Sequence, residues 1–308
     1  GDGLDAVTDR LENKRTIDLG NVPTAEFTPQ DFTDYVVCRA LDLTVDITVN
    51  LAAAVQGTAT YLANLLVEAS GKITVEKLLA DGLTVILQAP EVEILGPVSG
   101  GHILILAEAE DPDVLAEDAL TVTVAEDELS GTSMEYGVGL YEASPTVRIV
   151  VAEGASLNAA GVVDLIASIR QTSGMVDVMA GVASNFPNFV IVKQPTAEIL
   201  LHGSITAAQG PIHALASTLV NFDCAELLSY IPLSFAWGQA RTTLLVDGGA
   251  RLTSGAGTAL RTDSEVYISA VDKGSFPKAL LSLSSAVAIA ETETIVTDAA
   301  SITAGGDV

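Results

Sequence analysis

Short runs of apolar residues, many of them alternating with polar ones, recur along the chain from about residue 34 onward. Each run is about four to seven residues long and rich in Val, Ile, Leu and Thr, which is typical of a β-strand. Ala-rich stretches at 51–55 and 159–170 also allow helices, but they mostly lack helix caps. The chain is therefore predicted to be all-β, with strands near 43–49, 72–75, 83–87, 92–95, 102–106, 120–124, 147–151, 176–179, 189–192, 198–201, 243–246, 265–269 and 301–303.

One longer motif recurs in the second half of the chain. It reads VRIVVAEGASLNAAG, EILLHGSITAAQG, TLLVDGGARLTSG and TIVTDAASITAG at residues 147–161, 198–210, 243–255 and 294–305. Its anchoring small residue recurs about every 46–50 residues, at Gly154, Gly203, Gly249 and Ala299. Further apolar groups near 176–179 and 265–269 fall about halfway between these copies. We therefore expect a repeat of about 23–25 residues with a doubled signal near 48.

A repeat of that length with two or three short strands per turn predicts a parallel β-helix, or β-solenoid, in which side chains stack on their equivalents one coil away. Residues 37–308 would form the rod. Residues 1–36, with the segment DRLENKR and the helix-breaking Pro23 and Pro29, would form an N-terminal cap or arm. One or two β-sandwiches, or a mixed α/β fold, are the alternatives.

Strand alternation also predicts which side chains point inward. Val147, Ile149 and Val151 should share one face, with Arg148 on the other. In the run EVYIS, Val266 and Ile268 should be the inward pair.

The strings VRIVVAEGASLNAAGVVDLIAS and TLLVDGGARLTSGAGTALRTDSEVYISA resemble coils of filamentous-haemagglutinin-type surface proteins, and the resemblance extends over about residues 40–308. Members of that family are right-handed β-helical adhesins or surface-structure proteins that are secreted and lack catalytic activity. The resemblance therefore implies a right-handed β-helix located extracellularly or at the cell surface.

The amino-acid composition limits the kinds of ligand that the chain is expected to bind. The chain has 14 basic and 40 acidic residues, for a net charge of −26, which argues against nucleic acid and anionic membrane surfaces as ligands. No apolar run reaches the roughly 18 residues of a membrane span. Hydrophobic residues make up 49% and aromatic residues 5%, so the core should be aliphatic.

Motifs for catalysis are absent from the sequence. It contains no GxSxG, no GxxxxGK[ST], no strand-anchored GxGxxG and no Asp-Asp or Gly-His-Gly pair of the galacturonase type. The three histidines, His102, His202 and His213, have no helical spacing typical of zinc ligands and should lie in turns or on the surface. We expect no enzyme activity and no catalytic, cofactor-binding or metal-binding residues.

Acidic residues are densest at Glu108, Glu110, Asp111, Asp113, Glu117, Asp118, Glu126, Asp127 and Glu128. Such a cluster suits Ca²⁺, but it lacks an ordered DxDxDG loop, and GDGLDAVTD at the start matches only the back half of one. A solvated acidic face is the alternative and the interpretation we adopt. We expect no cofactor, with Ca²⁺ the one ion worth testing.

These features predict an extracellular structural protein: a subunit or segment of an adhesive surface fibre, sheath or filament. We expect it to self-associate end to end, with the 1–36 arm of one copy covering the SITAGGDV end of the next, and to meet carbohydrate or a cell surface. A carbohydrate-active β-helix enzyme (a polysaccharide lyase or hydrolase) or a carbohydrate-binding module is the alternative, for which Trp237 beside Phe235 is the main aromatic feature. Cys38 and Cys224 would lie about 35 Å apart along such a rod, so we expect no disulfide between them.

Overall fold

The chain folds into strands that belong to one sheet, and the described residues contain no helix. The computed structural model describes residues 35–48, 64–110, 138–171, 188–223, 233–269 and 283–306. The strands are β1 (Tyr35–Thr48), β2 (Asn64–Gln88), β3 (Glu91–Ile94), β4 (Pro97–Glu110), β5 (Val138–Ala143), β6 (Thr146–Val151), β7 (Ser156–Ala159), β8 (Val163–Gln171), β9 (Asn188–Lys193), β10 (Thr196–Leu201), β11 (Ser204–Ala207), β12 (Ile212–Asp223), β13 (Leu233–Val246), β14 (Arg251–Ser254), β15 (Thr258–Ser269), β16 (Leu283–Val296) and β17 (Ser301–Ala304).

Every strand pairing in these ranges is parallel. The all-β prediction is confirmed, and each predicted run in the described ranges lies within a strand or ends within a residue of one. The Ala-rich stretch 159–170 forms the end of β7, a turn and β8 rather than a helix. The predicted runs at 120–124 and 176–179 lie outside the described residues, as does the N-terminal segment up to residue 34. β1 itself begins at Tyr35, two residues inside the predicted arm.

The pairings align most of the strands into three rows, which the chain visits in a fixed order. Row A consists of 42–45, 72–75, 91–94, 148–151, 198–201, 243–246 and 293–296. Row B consists of 78–80, 97–100, 156–159, 204–207, 251–254 and 301–304. Row C consists of 84–88, 102–110, 163–171, 212–223 and 258–269.

Partner strands in the second half of the chain are separated by the longer of the two predicted intervals. Ser168 and Ser217, whose hydroxyls meet across β8 and β12, are 49 residues apart. Thr218 and Ser264, which meet across β12 and β15, are 46 residues apart. The predicted repeat of about 23–25 residues is therefore wrong for the described strands in the second half of the chain. The run at 265–269 caused the error, because it continues the long row C strand β15 instead of starting a new strand layer.

Spacing is less regular nearer the N-terminus. Lys72 of β2 pairs with Glu91 after a short interval, whereas Glu91 pairs with the much more distant Arg148. The short interval takes the chain through rows A, B and C once and straight back to row A. Each longer interval contains an additional segment between a row C strand and the next row A strand. Parts of these segments pair with one another as parallel strands: β5, β9 and the first halves of β13 and β16.

The core is aliphatic, as the composition predicts, and the inward side chains of all three rows form it. Val147, Ile149 and Val151 are fully buried while Arg148 is partly exposed, which confirms the predicted alternation. Val266 and Ile268 also point away from the exposed Glu265 and Tyr267, but they are only half-buried. The difference follows from position, because β15 pairs in register only with β12 among the described strands.

The recurring motif marks one corner of the structure, between rows A and B. Gly154 and Gly249 adopt positive φ angles of 82° and 80°, which glycine tolerates and most residues do not. At the equivalent corner, a Cβ on Gly203 would lie 2.5 Å from the carbonyl oxygen of Ala155. The motif therefore records a tight turn in the three copies whose anchor is a glycine.

Candidate functional site

The three histidines lie at separate places, and none of them contacts another. His102 is exposed, and its Nδ1 accepts a hydrogen bond from the backbone N–H of Val162 at 3.1 Å. His213 Nδ1 lies 2.8 Å from Asp164 Oδ1 on the neighbouring strand. These contacts join successive strands of row C or the turns beside it, so these two side chains act as surface links within the sheet.

His202 lies at the corner between rows A and B, close to Asp247 of the next layer. Asp247 Oδ1 accepts hydrogen bonds from the backbone N–H of Gly248 and, at 3.0 Å, from the hydroxyl of Thr297. The bond from Gly248 first, then the bond from Thr297 and the nearby His202, lower the pKa of Asp247 below its ordinary value. This corner thus carries a polar link from one layer to the next.

Only a small part of the acidic stretch that could bind Ca²⁺ lies within the described residues. Glu108 is exposed on β4, whereas residues 111–137, including most of the acidic stretch, lie outside the described residues. The GDGLDAVTD segment and the side chains of Cys38 and Cys224 lie outside them too, so the disulfide prediction stays a prediction. Within the described ranges, no three His, Cys, Asp or Glu side chains group together in a way that could hold a metal ion.

A column of alternating charge runs up the outer face of row A. Each member pairs in register with the next, and all seven belong to successive strands: Asp42, Lys72, Glu91, Arg148, Glu198, Thr243 and Glu293. Opposite charges directly across neighbouring strands stabilise that register, and like charges destabilise it. The column therefore favours one alignment of the layers from Asp42 to Glu198, beyond which Thr243 carries no charge.

Contacts between the side chains support this column. Lys72 Nζ lies 2.9 Å from Glu91 Oε1 and 2.8 Å from Glu93 Oε2, and hydrogen bonds to Glu93 and Glu91 raise the pKa of Lys72. Arg148 Nε lies 3.0 Å from Glu198 Oε2, although its Nε–H group has no hydrogen-bond partner. These side chains are partly exposed, so each pair contributes at most about 1 kcal/mol.

A second set of polar contacts, beside the charged column, joins β13 to β16. Arg241 Nε donates to Glu291 Oε2 at 2.9 Å, and Gln239 donates to Glu291 Oε1 at 3.3 Å. Gln239 in turn accepts a hydrogen bond from Gln194. This set, like the charged column, ends on a carboxylate of β16.

The last strands form an edge, which we call the β16 edge (residues 283–296). All fourteen residues of β16 pair with β13, and no other described strand pairs with it in register. The inward residue Val296 is 47% exposed, whereas its register partner Val246 is fully buried. At the other described end of row A, Val45 of β1 is also fully buried. Of these two ends of row A, the β16 edge is the one that leaves its inward valine exposed.

Inward positions also change in chemistry toward this edge. One register column runs Val147, Ala197, Thr242 and Thr292, and another runs Ile149, Ile199, Leu244 and Thr294. The hydroxyl of Ser264 bridges the two sides of the interior, 3.0 Å from Thr242 Oγ1 and 3.1 Å from Thr218 Oγ1. Hydroxyls therefore replace methyl groups where the interior approaches water.

An aromatic pair lies on the outer face of β13. The ring centroids of Phe235 and Trp237 are 6.4 Å apart, and their planes are tilted by 39°. Both side chains are half-buried, and the indole Nε1 is buried without a hydrogen-bond partner. The two rings are noticeable in the sequence, but their place on an outer face could not be predicted from it.

The charged column was not predicted from the sequence, although the sequence contains its signal. Arg148 and Glu198 occupy equivalent positions in two copies of the motif, and an alignment of the copies puts them side by side. No family model, curated protein or solved structure matches the chain. No helix among the described residues has the length and apolar character needed to cross a membrane.

Proposed function

We propose that the chain forms a right-handed parallel β-helix that serves as a structural segment of an extracellular, adhesive surface fibre or filament. The observation that carries this proposal is the repeated order of rows A, B and C with parallel, in-register strands at every step. Parallel crossovers in one sheet are almost always right-handed, which supports the handedness. Each passage through the rows would add one coil, about 4.8 Å further along the axis.

The described contacts suit a protein that must withstand mechanical force. Neighbouring strands are joined by ladders of backbone hydrogen bonds, by the charged column of row A and by the aliphatic core. In such an architecture each layer touches mainly its neighbours, so stability adds up layer by layer. The net charge of −26 supports a location in salty or calcium-rich surroundings outside the cell, where counterions screen repulsion.

Electron microscopy of the purified chain tests the proposal. We expect end-to-end filaments that become more abundant with added NaCl or CaCl₂, because both reduce repulsion between acidic ends. Magnesium chloride at equal ionic strength is the control that separates screening from calcium-specific bridging. Globular monomers under every condition would contradict the assembly role.

Carbohydrate binding is a second candidate, and the pair Phe235 and Trp237 supports it. Partly exposed aromatic rings on a sheet face can stack on sugar rings. Binding to soluble polysaccharides that falls at least tenfold in Trp237→Ala, but not in Tyr267→Ala, would favour this candidate. Release of reducing ends from those polysaccharides would instead favour an enzyme.

A further inference from the structure

An aliphatic stripe runs along the outer face of row A, beside the charged column. It consists of four register partners on successive strands: Val150, Leu200, Leu245 and Ile295. All four side chains are half-buried, whereas the other outward positions of row A carry charged or hydroxyl side chains. Glu93 occupies the same column one strand before Val150, so the stripe begins at Val150. A contiguous apolar stripe on an outer face indicates a surface that another protein can cover.

Polar residues flank the stripe on both sides. On one side, the charged column contributes, in layer order, Arg148, Glu198, Thr243 and Glu293. On the other side, the corner positions of the same four layers carry Ala152, His202, Asp247 and Thr297. The side chain of Arg148 is 43% exposed, and the exposed Glu293 has no ion-pair partner among the described residues. The face therefore has an accessible cation in its first layer and an accessible anion in its last.

Reversal of the layer order makes this face complementary to itself. If a second copy lies face to face with the first and its layers run in the opposite order, each column meets the same column in reverse. The stripe then lies against the stripe of the other copy over its whole length. In the flanking columns, Arg148 meets Glu293 and His202 meets Asp247, each pair twice because of the two-fold symmetry. No two like charges meet anywhere in this arrangement.

A second copy with its layers in the same order fits the charges less well. Each layer then meets itself, so that Arg148 lies against Ala152 and Glu293 lies against Thr297. The cation and the anion at the two ends of the face both lack a charged partner. Complementary charges across an interface select one orientation, and here they select the opposite layer order.

We infer that the outer face of row A, between residues 148 and 297, is a lateral contact between two copies of this chain that pack face to face with opposite layer order. The four layers extend over about 14 Å along the axis, so the contact between one pair of chains is small and weak. Repetition along two neighbouring filaments strengthens it through avidity. The inference rests on the proposed β-helix and specifies how its fibres associate side by side.

Sedimentation equilibrium of the full chain in about 0.15 M salt tests this contact, because screening then shortens the range of the repulsion between acidic chains. Leu200→Asp places a charge in the middle of the stripe and should weaken the lateral association about tenfold or more. The matched control Leu215→Asp, at a half-buried outward position of row C, should leave the association unchanged. Circular dichroism of each variant checks that the fold is retained.

Charge reversal tests the orientation of the two copies. Arg148→Glu alone, or Glu293→Arg alone, puts like charges opposite each other and should weaken the association about tenfold. The double variant has the same net charge as the unmodified chain and should restore the association to within about threefold. Within one chain these two residues are three layers apart, about 14 Å, which exceeds the screening length, so recovery reports a contact between copies.

Three results would overturn the inference: a chain that stays monomeric up to about 1 mM, equal effects of Leu200→Asp and Leu215→Asp, or no recovery in the double charge-reversal variant. A monomeric chain would leave the stripe to a different partner, and a lack of recovery would mean that the layers do not run in opposite order. Cysteine cross-linking between stacked strands reports on the β-helix independently. Failure of the lateral contact with intact cross-links would therefore leave the proposed function standing.

Discussion

Two identical tetrapeptides in row B allow burial by stacking to be measured directly. Ser-Ile-Thr-Ala occurs as β11 and again as β17, and both lie in the same register column with β14 between them. Ile205 is fully buried between Leu157 and Leu252, whereas Ile302 pairs with Leu252 on one side and is half-buried. Replacement of each isoleucine by alanine removes the same atoms from two different depths.

For Ile205→Ala, loss of three buried carbon groups costs about 2.5 kcal/mol in transfer free energy, and the cavity left behind raises the total to about 3–4 kcal/mol. For Ile302→Ala, solvent already reaches the side chain and no closed cavity forms, so we expect about 1 kcal/mol. Urea denaturation followed by far-UV circular dichroism gives both values from the shift in midpoint.

Neighbouring outward substitutions provide the control for this pair. Thr206→Ala and Thr303→Ala, on the same two strands, should each change stability by less than about 1 kcal/mol. Equal losses for Ile205→Ala and Ile302→Ala would refute the reasoning, because they would mean that β17 is as deeply covered as β11.

Three further predictions concern the links between layers. Asp247 has a lowered pKa in the folded chain, so its contribution to stability is complete above the ordinary carboxyl pKa and is lost as pH falls through the lowered value. The melting temperature of Asp247→Asn should therefore depend less on pH, between about pH 5 and pH 2, than that of the unmodified chain. Arg241→Glu should destabilise by up to about 1 kcal/mol and Arg241→Glu with Glu291→Arg should recover most of it, with the effect shrinking in about 1 M salt; no recovery would rule out the ion pair as a contributor. A Cβ on Gly161 would collide with the imidazole of His102, so Gly161→Ala should lower the melting temperature, and His102→Ala should relieve part of the loss, whereas an unchanged loss would point to the backbone alone.

Local features of the fold could be predicted from the sequence because they depend on neighbouring residues. Alternation at Val147, Arg148 and Ile149 is visible in a few letters, and strand propensity decides the rest. The corner motif is likewise visible, since a positive φ at Gly154 and Gly249 leaves a glycine in the sequence.

Long-range pairing could not be predicted in the same way. The apolar run at 265–269 has the composition of a new strand, and only the register of β15 against β12 shows that it continues the strand that starts at Thr258. The exposure of Val296 depends on which strand lies beside β16, and nothing in the local sequence of β16 encodes that neighbour. The β16 edge therefore emerges only from the assembled sheet.

Disulfide cross-linking in row B tests the central claim, that the strands of successive motif copies stack in parallel and in register. Thr206 and Thr253 are register partners on the outer face, and parallel neighbours lie about 4.8 Å apart, within reach of a disulfide. With both native cysteines replaced by serine, Thr206→Cys with Thr253→Cys should cross-link under mild oxidation. The account also predicts that Thr206→Cys with Thr303→Cys, two strands apart at about 9.6 Å, does not. Cross-linking of the second pair, or of neither pair, would contradict the stacking.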